Sequence, residues 1–197
     1  MQRSRCLTCG YAEVACVCAW VQPMQVPVSV VILQDAQERK CAKSTVPLLQ
    51  LALPQLEVVA ADDDLTVAEL KARVQQAPEQ WGLVYPTADS QPVEGLAANK
   101  DVTRPTAWLL PDGTWKKTRR LLHEHPWLTK ITAYSFSQAP VSNYRIRKVP
   151  SPSACSTLES VAWVLQQVHH VDPSPLHELQ RHFVARWQAY QPDAHQR

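Results

Sequence analysis

The chain reads as an α/β domain built on a mostly parallel sheet flanked by helices. Three observations predict it. Short, nearly continuous apolar runs recur along the sequence, as strands buried on both faces require. Helix-compatible stretches alternate with them, which is the pattern of βα units. Hydrophobic residues make up 45% of the 197, enough for the core of one ordinary domain.

Taken in order, the first twenty or so residues stand apart, because they hold four of the six cysteines. They end in Val21-Gln22-Pro23-Met24-Gln25-Val26-Pro27, a proline-punctuated linker. The expected division is a metal-binding knuckle with its linker over residues 1–24 and a main domain over 25–197. Val28 to Leu33 opens the main domain as a strand, being β-branched almost throughout. Further strands are expected at Leu56 to Ala60, Leu83 to Tyr85, Ala107 to Leu110 and Ile131 to Phe136. Helices are expected near Thr45 to Leu53, Thr66 to Gln76 and Trp115 to His123. Two longer ones close the chain. Ser156 to His169 carries Leu158, Val161, Ala162, Leu165 and Val168 on one face, and Leu176 to Tyr190 follows.

Composition excludes several function classes. A formal net charge of +2 leaves any nucleic-acid footprint to local clusters. No apolar run approaches the ~20 residues of a bilayer span, and Met1-Gln2-Arg3-Ser4-Arg5 leads into cysteines rather than an apolar signal region. A cytoplasmic location without a membrane partner is expected. Four glycines against sixteen prolines leave neither G-x-G-x-x-G nor G-x-x-x-x-G-K-[ST], so a nucleotide-like ligand needs loops of another kind.

Cys6-x-x-Cys9 and Cys16-x-Cys18 lie within thirteen residues. Two such close pairs can reach the corners of one zinc tetrahedron, and four ligands leave no open position, so a structural zinc is expected. A disulfide framework suits a secreted chain better, and a redox pair would leave Cys16 and Cys18 idle. Cys41 and Cys155 are isolated and read as buried small hydrophobes. The histidines form no ligand set, since His123-Glu124-His125 lacks i, i+4 spacing.

Pro111-Asp112-Gly113-Thr114-Trp115 joins an expected buried strand to an expected helix. Ligands of open α/β sheets bind beyond the C-terminal ends of strands. The plain alternative is that Asp112 or Thr114 caps the helix and Trp115 fills the core. The next turns hold Lys116, Lys117, Arg119 and Arg120, cations that oppose the helix dipole and repel one another. That arrangement points to an external anion. A second basic cluster, Tyr144-Arg145-Ile146-Arg147-Lys148, alternates with apolar residues in an extended stretch. Two basic clusters and an aromatic suit a phosphate backbone with an accessible base.

These pieces together resemble the DTW-domain family, named for an Asp-x-Thr-Trp motif. The resemblance runs over nearly the whole chain. It covers the cysteine pairs, Asp35 with Glu38 three residues on, Leu83-Val84-Tyr85-Pro86, Asp112-Gly113-Thr114-Trp115 with its basic helix, Tyr144 to Lys148, and Ser156-Thr157-Leu158-Glu159. Where the family shows Asn-Thr and then glycine, this chain reads Ser44-Thr45-Val46. The resemblance implies a knotted, SPOUT-like catalytic domain over 25–197. It implies transfer of the 3-amino-3-carboxypropyl group of S-adenosylmethionine to N3 of a tRNA uridine, releasing 5′-methylthioadenosine. Cofactor contacts are then expected from Leu110, Asp112, Thr114, Trp115, Tyr85, Pro86, Ser156, Thr157 and Glu159. Lys116, Lys117, Arg119, Arg120, Tyr144, Arg145, Arg147 and Lys148 are the expected RNA contacts, with the two late arginines alternatively gripping the cofactor carboxylate. Asp112 is the catalytic candidate, as base for the N3 proton or as electrostatic partner of the sulfonium. Trp115 walls the pocket or anchors the helix, the anchor being preferred. Rival readings are a zinc-stabilised RNA-binding protein without catalysis and a methyltransferase on the same scaffold. The oligomeric state is open between monomer and homodimer.

Overall fold

A computed structural model describes residues 4–97, 102–146 and 154–190. Its strands are β1 (Ser29–Gln34), β2 (Glu57–Ala60), β3 (Trp81–Val84), β4 (Gln91–Pro92), β5 (Ala107–Asp112) and β6 (Thr132–Ser135). They form one sheet in the order β2-β1-β5-β3-β6-β4, with every pairing parallel. The helices are α1 (Val46–Ala52), α2 (Asp64–Gln76), α3 (Trp115–Glu124), α4 (Thr157–His169) and α5 (Ser174–Tyr190). The expected α/β class with a parallel sheet is therefore present, and the five expected strands and five expected helices all form. The edge strand β4 was not expected, because two residues of Gln-Pro carry no apolar pattern.

Strand alternation splits the core into two layers. On one face Val30, Ile32, Trp108 and Leu110 pack with the inner sides of α1, α4 and α5. On the other Val31, Leu33, Leu83 and Leu109 meet α2 and the turn around Trp127 and Leu128. The cysteine segment is built into the first layer, where Cys9, Tyr11, Ala15 and Val17 are buried. Tyr11 packs on Phe183 with ring centroids 4.6 Å apart, and Trp20 stacks on His182 at 4.5 Å.

One glycine is dictated by this packing. A Cβ on Gly82 would lie 2.5 Å from Cζ3 of Trp108, so the indole can cross β3 only where there is no side chain. Trp108 is fully buried and donates its Nε1–H to His169 Nε2 at 2.8 Å. No helix among the described residues is long and apolar enough to cross a membrane.

Candidate active site

β5 runs two residues further than its apolar run suggests. Its pairing with β3 stops at Leu109, while pairing with β1 continues to Gln34 opposite Asp112. Pro111 is tolerated there because one side of the strand no longer has a β3 partner. Asp112 thus ends a strand in the sheet. Thr114, not Asp112, caps α3, accepting from the Lys117 amide at 3.4 Å.

Beyond the C-terminal ends of β3, β5 and β6 lies a cavity of about 510 Å³. Its walls include the strand ends, the Asp112–Trp115 segment and the first residues of α4. Eight of the expected cofactor contacts line it: Leu110, Asp112, Thr114, Trp115, Tyr85, Pro86, Ser156 and Thr157. Trp115 is 47% exposed, so it is no core anchor. Its indole tilts against the Tyr85 ring with centroids 6.0 Å apart, and the two aromatics form one wall.

Asp112 is only 7% exposed and is held from two elements. Gln34 Nε2 donates to Oδ2 at 2.9 Å, and Thr157 Oγ1 donates to Oδ1. Both donors are neutral and fix the carboxylate plane. Gln34 escaped the sequence reading. Its only signal was a polar residue ending an otherwise apolar strand.

Beside Asp112 the chain buries two more carboxylates, Asp35 at 1% and Glu38 at 2% exposure. Lys117 Nζ lies 2.8 Å from Glu38 Oε1 and 3.4 Å from Asp35 Oδ1, and Arg120 pairs with Asp35 Oδ2. Burial pushes the Asp35 pKa up, but the Gln37 amide and then Lys117 and Arg120 outweigh it and hold it below its ordinary value. Lys117 is raised in turn, its bonds to Glu38 and Asp35 overcoming the opposing burial. The two cations therefore have internal partners. Lys116 and Arg119, both exposed, are the cations of this helix left to face an external anion.

Two other expected contacts are engaged by the fold. Glu159 does not line the cavity. Its Oε2 accepts from the Ser156 amide at 2.7 Å and Ser142 Oγ at 2.8 Å, and its Oε1 from the Asn143 amide at 2.9 Å and Gln180 at 2.7 Å. It is the capping-box residue of α4 and pins the 142–143 loop, so its acceptor sites are spent on the fold. Tyr144 also lines the cavity, and it is buried with its hydroxyl donating to the Lys43 carbonyl. Arg145 is exposed, while Arg147 and Lys148 lie outside the described residues. Lys43, Ser44, Thr45 and Cys155 also line the cavity. Thr45 Oγ1 accepts from the Leu158 amide at 3.3 Å, tying this loop to α4. Cys155 is partly exposed at the cavity wall rather than a core residue, as is Cys41 in another cavity.

The four N-terminal cysteines come together, with all sulfurs within 4.8 Å of one another, as a group able to hold a metal ion. The turn needs Gly10, whose φ is +70° and whose amide donates to the Cys6 carbonyl at 2.9 Å. Backbone amides of Cys9 and then Thr8 lower the Cys6 pKa to about 6, while burial pushes Cys18 up to about 12.

The profile of the DTW domain matches residues 3–191. The chain belongs to the DTW domain family. Among curated proteins it is 29% identical over 171 residues to tRNA-uridine aminocarboxypropyltransferase 2 of Drosophila melanogaster, covering 83% of this chain and 66% of the relative. The protein of that name from Mus musculus is 25% identical over 168 residues, covering 83% and 56%. That from Macaca fascicularis is 23% identical over 186 residues, covering 91% and 62%. The chain thus spans less than two thirds of the length of these relatives. No solved structure gave a significant match.

Proposed function

We propose that this DTW domain transfers the 3-amino-3-carboxypropyl group of S-adenosylmethionine to N3 of a uridine in tRNA, releasing 5′-methylthioadenosine. The single observation that carries the proposal is Asp112, a buried carboxylate on the cavity wall, held by Gln34 and Thr157. The names of the relatives support the reaction class.

The cavity's volume lies within the ordinary range for a ligand of this size, and its mixed wall suits one. Tyr85 and Trp115 offer aromatic faces, and Ser156, Thr157 and Thr114 add hydroxyls to the lining. When bound, S-adenosylmethionine supplies a sulfonium-activated carbon. The C–S bond breaks with its electron pair on sulfur, the N3–C bond forms, and the N3 proton must leave. Asp112, on the cavity wall, takes that proton. The remaining task is aim, since the methyl carbon is the less hindered electrophile. The walls must present the longer arm to N3 and turn the methyl away. Lys116 and Arg119 meet the RNA backbone from the exposed side of α3, and Arg145 from the loop before α4.

The cysteine cluster holds a structural zinc in this reading. Zn–S bonds of about 2.3 Å in a tetrahedron separate sulfurs by roughly 3.8 Å, and Cys6 Sγ and Cys18 Sγ are 3.7 Å apart. The knotted arrangement implied by the family resemblance is part of the proposal. A tRNA substrate implies work inside the cell.

The test is the small-molecule product. Incubation of protein, S-adenosylmethionine and tRNA should release 5′-methylthioadenosine. Release of S-adenosylhomocysteine would make the chain a methyltransferase, and absence of both with RNA still bound would leave a binding protein.

A further inference from the structure

A second cavity of about 500 Å³ opens on the other side of the 39–45 segment. One wall is the cysteine loop itself, Cys9 to Ala12, and another is Trp187 of α5. Arg5, Arg39 and Lys40 supply its charge, and no carboxylate is among its described lining residues. Arg39 is balanced by Asp62 at 2.6 Å. Neither Arg5 nor Lys40 pairs with a carboxylate among the described residues.

The two cavities share a wall. Lys43 and Ser44 line the first, while Cys41 and Ala42 line the second. That wall is clamped from both sides. The Tyr11 hydroxyl donates to the Ser44 carbonyl at 2.7 Å from the cysteine segment, and Tyr144 donates to the Lys43 carbonyl from the other. Lys43 Nζ reaches the Ile146 carbonyl at 2.7 Å and lies 5.5 Å from the Trp187 ring centroid.

We infer that the second cavity receives a nucleotide flanking the target uridine, its phosphate against Arg5 and Lys40 and its base near Trp187. The inference rests on the RNA substrate proposed above. A polymer with one base at Asp112 must continue past the cavity rim. A cation-lined hollow with an indole, one loop away, matches the next unit in both charge and stacking. It also gives the cysteine cluster a task. The metal-binding turn builds the wall against which the flanking nucleotide rests, so substrate recognition depends on a site far from the reacting carbon.

The test uses the full chain with Lys40→Ala, Lys40→Glu and the double variant Arg5→Ala/Lys40→Ala. Affinity for a tRNA transcript is read by fluorescence anisotropy across a salt series. The double variant should weaken binding at least tenfold and flatten the salt slope by about one per charge removed. Lys40→Glu should weaken it further, while calorimetric S-adenosylmethionine affinity stays at the wild-type value. Zinc content of the double variant checks that losing the Arg5 bond to the Gly10 carbonyl has not opened the cysteine turn. Unchanged affinity and slope in both Lys40 variants would overturn the subsite. Failure of the functional reading looks different: the wild type would bind the transcript and yield no modified uridine, while the salt slopes still judge the subsite. A wild type that does not bind the transcript would overturn both.

Discussion

At its N-terminal end β5 is fixed by volume, and at its C-terminal end by hydrogen bonds. Trp108 lies against a glycine that has no room for a methyl group, and its one polar atom is satisfied by a neutral histidine. Four residues on, Asp112 is held by an amide and a hydroxyl from two other elements on the wall of a cavity. The same strand therefore carries a packing end and a chemical end. Changes at one should move stability, and changes at the other should move rate.

The largest effect is expected for Asp112→Ala. Loss of a positioned acid or base costs about 10²–10⁴-fold in rate, so transfer should fall by at least about 10²-fold while the thermal midpoint stays within a few degrees. Near-wild-type turnover would erase the distinction between the two ends. Gly82→Ala is the opposite case. Overpacking of this kind costs about 1–3 kcal/mol, visible in a urea transition, with turnover per folded molecule unchanged. Thr157→Val and Gln34→Leu should each lower kcat/KM about tenfold by releasing one carboxylate oxygen, an estimate scaled from the worth of one hydrogen bond to a charge, ~1.5–3 kcal/mol. Thr157→Ser should restore most of it.

The smallest expected effect concerns pH at the packing end. Burial, then Arg104 and His170, hold the His169 pKa down to about 4, against about 6.5 unfolded. Between these values the unfolded chain takes up a proton that the folded chain refuses. The stabilising contribution is therefore complete above pH 6.5 and is lost as pH falls toward 4. Urea transitions at pH 7 and pH 5 should show this loss, and His169→Gln should remove that part of it while its side-chain oxygen still accepts from Trp108.

Much of the fold was legible because its signals are local. β-branched runs mark β1 and β5, and apolar spacing marks α4. The candidate site was legible where one segment holds several wall residues, as in Asp112–Trp115 and Ser156-Thr157. What escaped depends on partners distant in sequence. Lys117 and Arg120 read as a repelling surface cluster, because their partners Glu38 and Asp35 are 79 and 85 residues away. Glu159 read as a cofactor contact from the family resemblance, and no local pattern shows that the 142–143 loop and Gln180 take up its oxygens. Tyr144 read as an RNA contact, and nothing near it in the chain announces its bond to the Lys43 carbonyl. The cysteine segment read as a separate knuckle, since no local pattern shows that Tyr11 meets Phe183.

The proposed function gives the cavity at the C-terminal end of β5 the transfer of an aminocarboxypropyl group to tRNA. Nucleoside mass spectrometry on tRNA incubated with the protein and S-adenosylmethionine tests it most directly. A uridine carrying the 3-amino-3-carboxypropyl group with the wild type, and none with Asp112→Ala, is the predicted result. Unmodified or methylated uridine with the wild type would contradict it.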